Sequence, residues 1–210
     1  MYGTEEWKGY FINNLIKDLN YSSYLELGVA AGESWHQIEC NKKVGVDNNP
    51  NIKIPGVVLS TTDQYFDFFI DEDVNYDLIY IDAYHEKNQV KKDFYNSWDH
   101  LNPGGMIIMH DVNPPSKSGT SQVAHGDCFE FWIELVKKYP NNVSVLSGGT
   151  ICGQVDSVGV WFKEDETISK DDIISIDNTY EHFVENHSKY IKNLELTYEK
   201  ILNRMEKNGN

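Results

Sequence analysis

Two apolar segments near the middle of the chain constrain its fold most strongly. DLIYID (residues 77–82) and MIIMHD (residues 106–111) are apolar at successive positions, and the residues between them carry apolar side chains at helical spacing from Val90 to Leu101. Strands that are apolar on both faces are typical of a parallel sheet covered by helices on both sides. This region therefore predicts a strand, helix, strand unit of an α/β protein.

The same alternation extends towards the N-terminus. YLELG (24–28), KVGVD (43–47) and VVLS (57–60) predict three earlier strands, and an amphipathic helix over residues 5–19 precedes them. We predict a helix over residues 33–39 after the first of these strands. The second and third strands are separated by only about nine residues, fewer than a full crossover helix requires. That connection should hold a single turn at most.

Beyond the fifth strand, a loop rich in proline, serine and glycine (113–126) leads to a helix predicted from Phe129 to Lys138. VSVL and SVGVWF follow as two strands with a tight connection, which indicates an antiparallel pair at the sheet edge. Together these patterns predict a Rossmann-like, doubly wound α/β sheet, mostly parallel with an antiparallel edge strand.

The sequence divides into three parts. We predict one domain over residues 1–162, including the N-terminal helix, an acidic linker at 163–178 and a long C-terminal helix at 179–208. Apolar residues from Tyr180 to Met205 alternate by four and three, as in an a/d heptad pattern. This stripe either pairs with a second copy of the chain or folds back on the chain's own sheet, and the sequence favours neither.

The acidic composition argues against several kinds of partner. The formal net charge is −15, whereas nucleic-acid binders offer a basic surface to phosphates. No apolar run approaches the roughly 18 residues of a membrane-spanning helix, and the N-terminus does not resemble a secretory signal. Cys40, Cys128 and Cys152 are widely spaced and form no CxxC pair, which favours reduced thiols over a disulfide framework or a zinc site. We expect a cytoplasmic protein that acts on a small molecule, without a nucleic-acid or membrane partner.

Polar residues follow the predicted strands where each one ends. A glycine loop at residues 26–34 joins the first strand to the next segment, so that its backbone can approach a ligand closely. Asp47 ends the second strand, where a carboxylate can accept hydrogen bonds from both ribose hydroxyls. Asp82 and Asp111 end two neighbouring central strands. Since ligands of open α/β sheets bind at this edge, these residues should share one site.

In order and spacing, several segments together resemble the class I S-adenosylmethionine-dependent methyltransferases. The segments are ELGVAAGES, GVDNNP, TTDQYF, YDLIYIDAYHEKNQVKKDFYNSWDHLNPGGMIIMHDVNPP and DSVGVWF. Within that class the chain is similar to the branch of sugar- and macrolide-tailoring O-methyltransferases and cephalosporin-hydroxylase-like proteins. The resemblance covers about residues 20–162. It implies that S-adenosylmethionine donates a methyl group to a hydroxyl of a sugar or another small molecule.

The resemblance also implies roles for the residues of the glycine loop. Glu26, Gly28 and Gly32 would line the methionine part of the cofactor, with Glu33 and Ser34 beside it. The loop has two glycines where a dinucleotide fingerprint has three. This difference favours an amino acid with an attached nucleoside over a dinucleotide.

The remaining implied roles lie along the other strand ends. Asp47 would hold the ribose, and Thr62 and Asp63 would lie near the adenine. Asp82 would lie under the methyl group and also contact the cofactor. The candidate catalytic residues are Asp82, His85 and Asp111.

Asp82 and Asp111 also suit a hard divalent cation such as Mg²⁺ or Mn²⁺. Metal-dependent relatives usually supply a further acid or amide directly after the second aspartate, and here that position is Val112, with Asn113 one residue on. His85 is instead a candidate general base without a metal, or a cap of the following helix. We expect the neighbouring His110 to point to the opposite face, as a core histidine.

Two other functions use parts of the same pattern. An NAD-dependent oxidoreductase also has a glycine loop and an acid at the end of the second strand, although the missing third glycine argues against it. A binding or scaffold protein could keep the fold without catalysis, with the C-terminal segment as its working part.

Overall fold

The computed structural model describes residues 6–121, 124–151, 154–163 and 179–208. Within these residues, seven strands form one sheet in the order β3-β2-β1-β4-β5-β7-β6. The strands are β1 (Ser23–Leu27), β2 (Lys42–Asp47), β3 (Val57–Leu59), β4 (Tyr76–Ile81), β5 (Leu101–Met109), β6 (Val143–Ile151) and β7 (Gln154–Phe162).

The sheet is mostly parallel. Strands β1 to β5 run in the same direction, and β7 is antiparallel to both β5 and β6. The chain builds outward from β1 to β3 and then returns to place β4 beside β1, so the strand order reverses between these two strands. Such a reversal opens a crevice at the carboxyl ends of the strands. The predicted Rossmann-like sheet with an antiparallel edge pair is confirmed.

Helices cover both faces of the sheet. The α-helices are α1 (Glu6–Asp18), α2 (Thr62–Gln64), α3 (Lys87–Asp99), α4 (Cys128–Lys138), α5 (Tyr180–Glu185), α6 (His187–Tyr190) and α7 (Tyr198–Asn208). A π-helical turn (Tyr65–Phe69) continues α2, and short 3-10 turns lie at Trp35–Gln37, Lys117–Thr120 and Lys192–Leu194. None of the helices in the described ranges is both long and apolar enough to cross a bilayer.

The side-chain alternation of the central strands creates two core layers. Leu78 and Tyr80 of β4 pack in the layer that contains α1 and α7. Ile79 and Ile81 point the other way, into the layer formed with α3 and α4. Since each fully buried side chain of this size stabilises the fold by about 1.5–3 kcal/mol, both layers contribute to holding the strand ends in place.

Two predicted connections can be compared with the structure. The predicted helix over residues 33–39 is wrong, because only the 3-10 turn Trp35–Gln37 forms there. The backbone N–H of Glu39 donates to the Asn13 side chain of α1 at 2.9 Å, and the chain then enters β2. Between β2 and β3 no helix forms, as predicted.

The C-terminal segment predicted as one long helix is instead divided into α5, α6, a 3-10 turn and α7. The helical path breaks because the chain crosses the sheet edge here, where Leu196 N donates to Val145 O of β6 at 2.9 Å. Phe183 is buried in the α3 and α4 layer, and Ile201 is buried in the α1 layer. The heptad stripe is therefore folded onto the chain's own sheet. Residues 164–178 of the predicted linker lie outside the described ranges.

Candidate active site

A cavity of about 860 Å³ opens at the carboxyl ends of the central strands. It brings together nearly all the residues predicted from the sequence. Those in its lining are Glu26, Gly28, Glu33, Ser34, Asp47, Thr62, Asp63, Asp82, His85 and Asp111. Gly32 is not among the lining residues. It packs against His36, whose Nε2 would lie 2.8 Å from a Cβ at this position.

Asp47 holds the glycine loop in place. Its Oδ2 accepts hydrogen bonds from the backbone N–H groups of Val29 at 3.0 Å and Ala30 at 2.8 Å, and its Oδ1 accepts one from Asn49 N at 2.8 Å. Gly28 adopts φ +89°, and a Cβ there would lie 2.0 Å from the carbonyl oxygen of Asp82. The loop therefore needs glycine at this position to pass close to the end of β4.

Glu26 is a buried carboxyl at the end of β1. Its side chain accepts a hydrogen bond from the Tyr24 hydroxyl at 2.8 Å, and the residue is only 2% exposed. Burial raises the pKa of Glu26 to about 8, although the bond from Tyr24 acts in the opposite direction. At neutral pH most of the carboxyl is therefore protonated, and a cationic group beside it would favour its ionised form.

The raised pKa of Glu26 predicts a pH dependence of stability. The folded protein binds this proton up to about pH 8, whereas an unfolded glutamate loses it near 4.5. Stability from this group is therefore full below the unfolded pKa and falls as pH rises towards 8, by at most about 1.4 kcal/mol per pH unit. Urea unfolding of the wild type and Glu26→Gln at pH 5 to 8 should show this slope only in the wild type.

Glu33→Gln is the matched control, because Glu33 lies exposed on the same loop. We expect it to follow the wild type across this range. Identical pH dependence in the wild type and Glu26→Gln would contradict the assignment of a buried, protonated Glu26.

Asp82 and Asp111 converge at the ends of β4 and β5. Both contact the same ring nitrogen, since Asp82 Oδ1 and Asp111 Oδ1 each lie 3.1 Å from His110 Nδ1. Tyr80 also donates to Asp82 at 2.9 Å, and His125 Nδ1 lies 2.5 Å from Asp111 Oδ1. Burial alone would raise the pKa of both carboxyls, but His110, together with His85 at Asp82 and His125 at Asp111, holds both pKa values well below the ordinary range.

His85 completes the predicted group. Its Nδ1 hydrogen-bonds to the carbonyl oxygen of Ala124, and its Nε2 lies 3.5 Å from Asp82 Oδ1 and 3.3 Å from Asp111 Oδ2. The contact with Asp82 raises the pKa of His85 to about 9, against the effect of burial and with help from Asp111. The alternative role of His85 as a helix cap is wrong, because Glu86 caps α3.

His110 lies in the site, which corrects its predicted position on the opposite face. Strand β5 ends at Met109, and Asp111 adopts φ +57°. Strand alternation therefore does not extend to residues 110 and 111, and both side chains reach the cavity. Lys8 and His125 also line it. No sequence signal marked these two, since they come from α1 and from the loop before α4.

The two residues after Asp111 do not extend the group. Val112 is fully buried in the core. Asn113 is engaged elsewhere, because its Oδ1 lies 3.0 Å from His187 Nε2 and its amide nitrogen lies 3.4 Å from Ser157 Oγ. His85, and not a residue directly after Asp111, therefore lies beside the two aspartates as the third member of the group.

Comparison with known proteins identifies the fold. Residues 25–112 match the family model described as a methyltransferase domain. The O-methyltransferase from Bacillus cereus in complex with SAH is 19% identical, with 74% of this chain and 80% of that chain covered and a TM-score of 0.53. The fold is that of a class I S-adenosylmethionine-dependent methyltransferase.

A second solved structure of this fold is TomG from Streptomyces achromogenes, an O-methyltransferase involved in tomaymycin synthesis, in complex with SAM. It is 14% identical, 73% of this chain and 78% of that chain are covered, and the TM-score is 0.54. None of the curated proteins matches the chain significantly. At these identities the likeness is one of fold.

The other end of the cavity is lined by polar side chains of the segment after β3 and of α3. Gln89 of α3 donates to Asp63 Oδ1 at 3.0 Å and lies 3.2 Å from Thr62 Oγ1. Lys92 contacts Asp63 Oδ2 at 2.8 Å and, with Gln89, lowers the pKa of Asp63. Sequence reasoning identified Thr62 and Asp63 but not Gln89, which is brought to them by the packing of α3.

Proposed function

We propose that the protein is an O-methyltransferase that uses S-adenosylmethionine to methylate a hydroxyl of a sugar or another small molecule in the cytoplasm. The observation that carries this proposal is one continuous cavity. It joins the glycine loop and Asp47 at one end to Asp82, His85 and Asp111 at the other. A cofactor along the first part would place its reactive group beside the second.

The lining matches the chemical parts of this cofactor. Asp47 would accept hydrogen bonds from the ribose hydroxyls, and Asp63 would lie near the adenine amino group. Glu26, buried at the end of β1, would take the ammonium of the methionine part. The ammonium would favour the ionised form of Glu26, so we infer that binding near pH 7 releases a proton from this carboxyl.

The reaction would be one in-line displacement. A bond forms between the acceptor oxygen and the methyl carbon while the bond between that carbon and the sulfonium sulfur breaks, and the hydroxyl proton passes to a base. The chain's main contribution would be to hold the two reacting atoms in attack geometry. Asp82 and Asp111, at the ends of adjacent strands, are placed to orient the acceptor hydroxyl.

A divalent cation fits the residues at this end. Asp82, His85 and Asp111 each offer one ligand atom, and these atoms lie within 4.8 Å of one another. Asp111 Oδ2 is buried and accepts no hydrogen bond within the described residues, although His85 Nε2 lies 3.3 Å away. With its Nδ1–H donated to Ala124 O, neutral His85 would turn the Nε2 lone pair towards both carboxylates. Mg²⁺ or Mn²⁺ bound there would lower the pKa of the acceptor hydroxyl.

The pKa of His85 bears on its alternative role as the base. With a pKa of about 9, the imidazole is protonated at neutral pH and has no lone pair to accept a proton. Binding of a cation to Nε2 requires that this proton leave. The proton on Nε2 must therefore leave in either role, and we favour His85 as a metal ligand because its ligand atom and those of Asp82 and Asp111 lie within 4.8 Å of one another.

Thermal shift measurements would test the cofactor. We expect S-adenosylhomocysteine to raise the melting temperature, because a ligand that binds only the folded state stabilises it, and we expect NAD to have no effect. Transfer of label from methyl-labelled S-adenosylmethionine to a panel of sugars and small hydroxyl compounds would then test the reaction. Stabilisation by NAD alone would support an oxidoreductase, and no response to either ligand would support a scaffold protein.

We predict that EDTA abolishes methyl transfer to an acceptor found in this way, and that Mg²⁺ or Mn²⁺ restores it. The physical reason is that Asp82, His85 and Asp111 together would hold the ion that activates the acceptor. Calorimetric binding of S-adenosylhomocysteine, measured in the same EDTA buffer, serves as the control and should be retained. Full activity in EDTA would remove the metal from the proposal.

A further inference from the structure

A buried carboxylate lies behind the polar side chains at the β3 end of the cavity. Asp93 of α3 is 0% exposed and is not among the residues that line the cavity. Its Oδ1 accepts a hydrogen bond from Gln89 Nε2 at 3.0 Å, and its Oδ2 accepts none within the described residues. Burying a carboxylate costs free energy unless its partners compensate, and an apolar side chain of similar size would avoid that cost. Packing alone therefore does not account for an aspartate here.

The neighbours of Gln89 fix the orientation of its side-chain amide. Its Nε2 lies 3.0 Å from Asp93 Oδ1 and 3.0 Å from Asp63 Oδ1. Burial raises the pKa of Asp93 to about 6, against the effect of its contacts with Thr62 and Gln89, so this carboxyl is mainly ionised at neutral pH. Ionised carboxylates only accept hydrogen bonds, so the atom that faces both of them is the amide nitrogen, which has two hydrogens to donate.

This arrangement leaves an acceptor free at this end of the cavity. Asp63 Oδ1 accepts from Gln89 and its Oδ2 pairs with Lys92 at 2.8 Å, so each carboxylate oxygen already has a partner. Gln89 lines the cavity, and its Oε1 accepts no hydrogen bond within the described residues. Ser60 also lines the cavity, and its buried Oγ has no partner among the same residues. An unpaired buried hydroxyl costs free energy that a bound ligand can recover.

The edge of an adenine base matches these two groups. Its exocyclic amino group donates hydrogen bonds, and the ring nitrogen beside that group accepts one. In hypoxanthine a carbonyl replaces the amino group, and the same ring nitrogen carries a hydrogen. A serine hydroxyl can donate or accept, so Ser60 suits either base. The amide oxygen of Gln89, held in one orientation, suits only the amino group.

We propose that Gln89 determines specificity for the adenine base by accepting a hydrogen bond from its amino group, and that Asp93 is the positioning residue that holds the Gln89 amide. Gln89 and Asp93 are four residues apart on α3, so they share one helix face. The inference rests on the proposed function in one respect, since it takes S-adenosylmethionine as the cofactor. A site built to hydrogen-bond a ligand group rejects the analogue that lacks it, because the polar group of the site is then left unpaired.

Calorimetry with the full chain at one neutral pH tests the proposal with two ligands, S-adenosylhomocysteine and its deaminated analogue S-inosylhomocysteine. The wild type should bind the adenine form about tenfold or more tightly, since the hypoxanthine carbonyl would face Gln89 Oε1 acceptor to acceptor. Both ligands carry the same amino-acid part, so proton release at Glu26 cancels in the ratio of the two affinities. Gln89→Met should bring this ratio close to one.

Variants of Asp93 separate positioning from packing. Asp93→Leu keeps the size of the side chain and should also bring the ratio close to one, because the Gln89 amide loses an anchor. Asp93→Asn keeps an oxygen that can accept from Gln89, so it should retain most of the discrimination. A purely structural role of Asp93 would change stability or both affinities but not their ratio. Asn88→Leu is the matched control, because it removes a side-chain amide from the same helix outside the cavity, where Asn88 donates to Glu86.

The possible results distinguish this inference from the proposed function. A wild-type ratio in Gln89→Met, or no preference in the wild type, would overturn the inference, while binding of S-adenosylhomocysteine would still support the proposed cofactor. A wild-type ratio in Asp93→Leu would exclude the positioning role of Asp93. Binding of neither ligand by the wild type would contradict the cofactor and the inference together. The expected ratios without methyl transfer to any acceptor would contradict the proposed function alone.

Discussion

Replacing Asp111 by asparagine is expected to lower kcat for methyl transfer by about 100-fold or more, the lower range for a group that assists proton transfer. Asp111 is 4% exposed and contacts His85, His110 and His125 through its two carboxylate oxygens. An amide keeps the size of the side chain but removes the charge and one acceptor. Steady-state kinetics with a verified acceptor measure the effect.

Two control measurements distinguish a specific effect on methyl transfer from a general effect on the protein. Asp77→Asn makes the same chemical change near the start of β4, where Asp77 accepts hydrogen bonds from Ser22 and Ser23 and lies outside the cavity. It should leave kcat nearly unchanged. Asp111→Asn should still bind S-adenosylhomocysteine. Wild-type kcat in Asp111→Asn would exclude Asp111 from the reaction.

Asp47→Ala is expected to weaken the binding of S-adenosylhomocysteine by roughly 1.5–3 kcal/mol, the range for hydrogen bonds to a charged group. This corresponds to a factor of about 10 to 150 in Kd. Two effects act in the same direction, since the variant loses the proposed ribose contact and the bonds that hold Val29 N and Ala30 N. Isothermal calorimetry measures the change.

Asp47→Asn separates these two effects. Its remaining carbonyl oxygen can accept the loop N–H groups, while its amide cannot accept from the ribose. We expect the thermal stability of Asp47→Asn to lie between those of the wild type and Asp47→Ala, because its amide nitrogen replaces the acceptor of Asn49 N, and weaker binding in both variants. Unchanged affinity in Asp47→Ala would place the cofactor elsewhere in the cavity.

The residues that the sequence placed at strand ends meet at one cavity. The carboxyl ends of β1 to β5 lie within two residues of their predicted positions, so Asp47, Asp82 and Asp111 could be assigned to one edge of the sheet. His85 follows β4 by four residues and was assigned through the family resemblance. These positions depend on local pattern and on the general topology of parallel sheets.

The residues that were missed depend on tertiary packing or on one backbone angle. Lys8 reaches the site because Trp7 packs α1 against β6 and β7. The apolar pattern of the helix does not indicate that contact. His110 was placed on the wrong face because the positive φ of Asp111 follows the strand end. Gly32 was assigned to the cofactor through the family resemblance, and in the structure it packs against His36.

The C-terminal segment shows a different limit. An apolar stripe predicts which side chains are buried. It does not predict whether they all pack in one core layer or are divided between two. Here Tyr190 lies in one core layer and Met205 in the other, and the segment between them crosses the sheet edge. A spacing of four and three residues is compatible with either arrangement.

This crossing affects how the sheet ends. A free edge strand presents unpaired backbone groups on which another chain can add a strand and begin aggregation. At the β6 edge, residues 195 and 196 pair with Val145 in parallel and cover part of that surface. The opposite edge strand, β3, is only three residues long. The two sheet edges therefore limit strand addition by another chain in different ways. At β3 the edge is short, and at the longer β6 edge the C-terminal segment covers part of the strand.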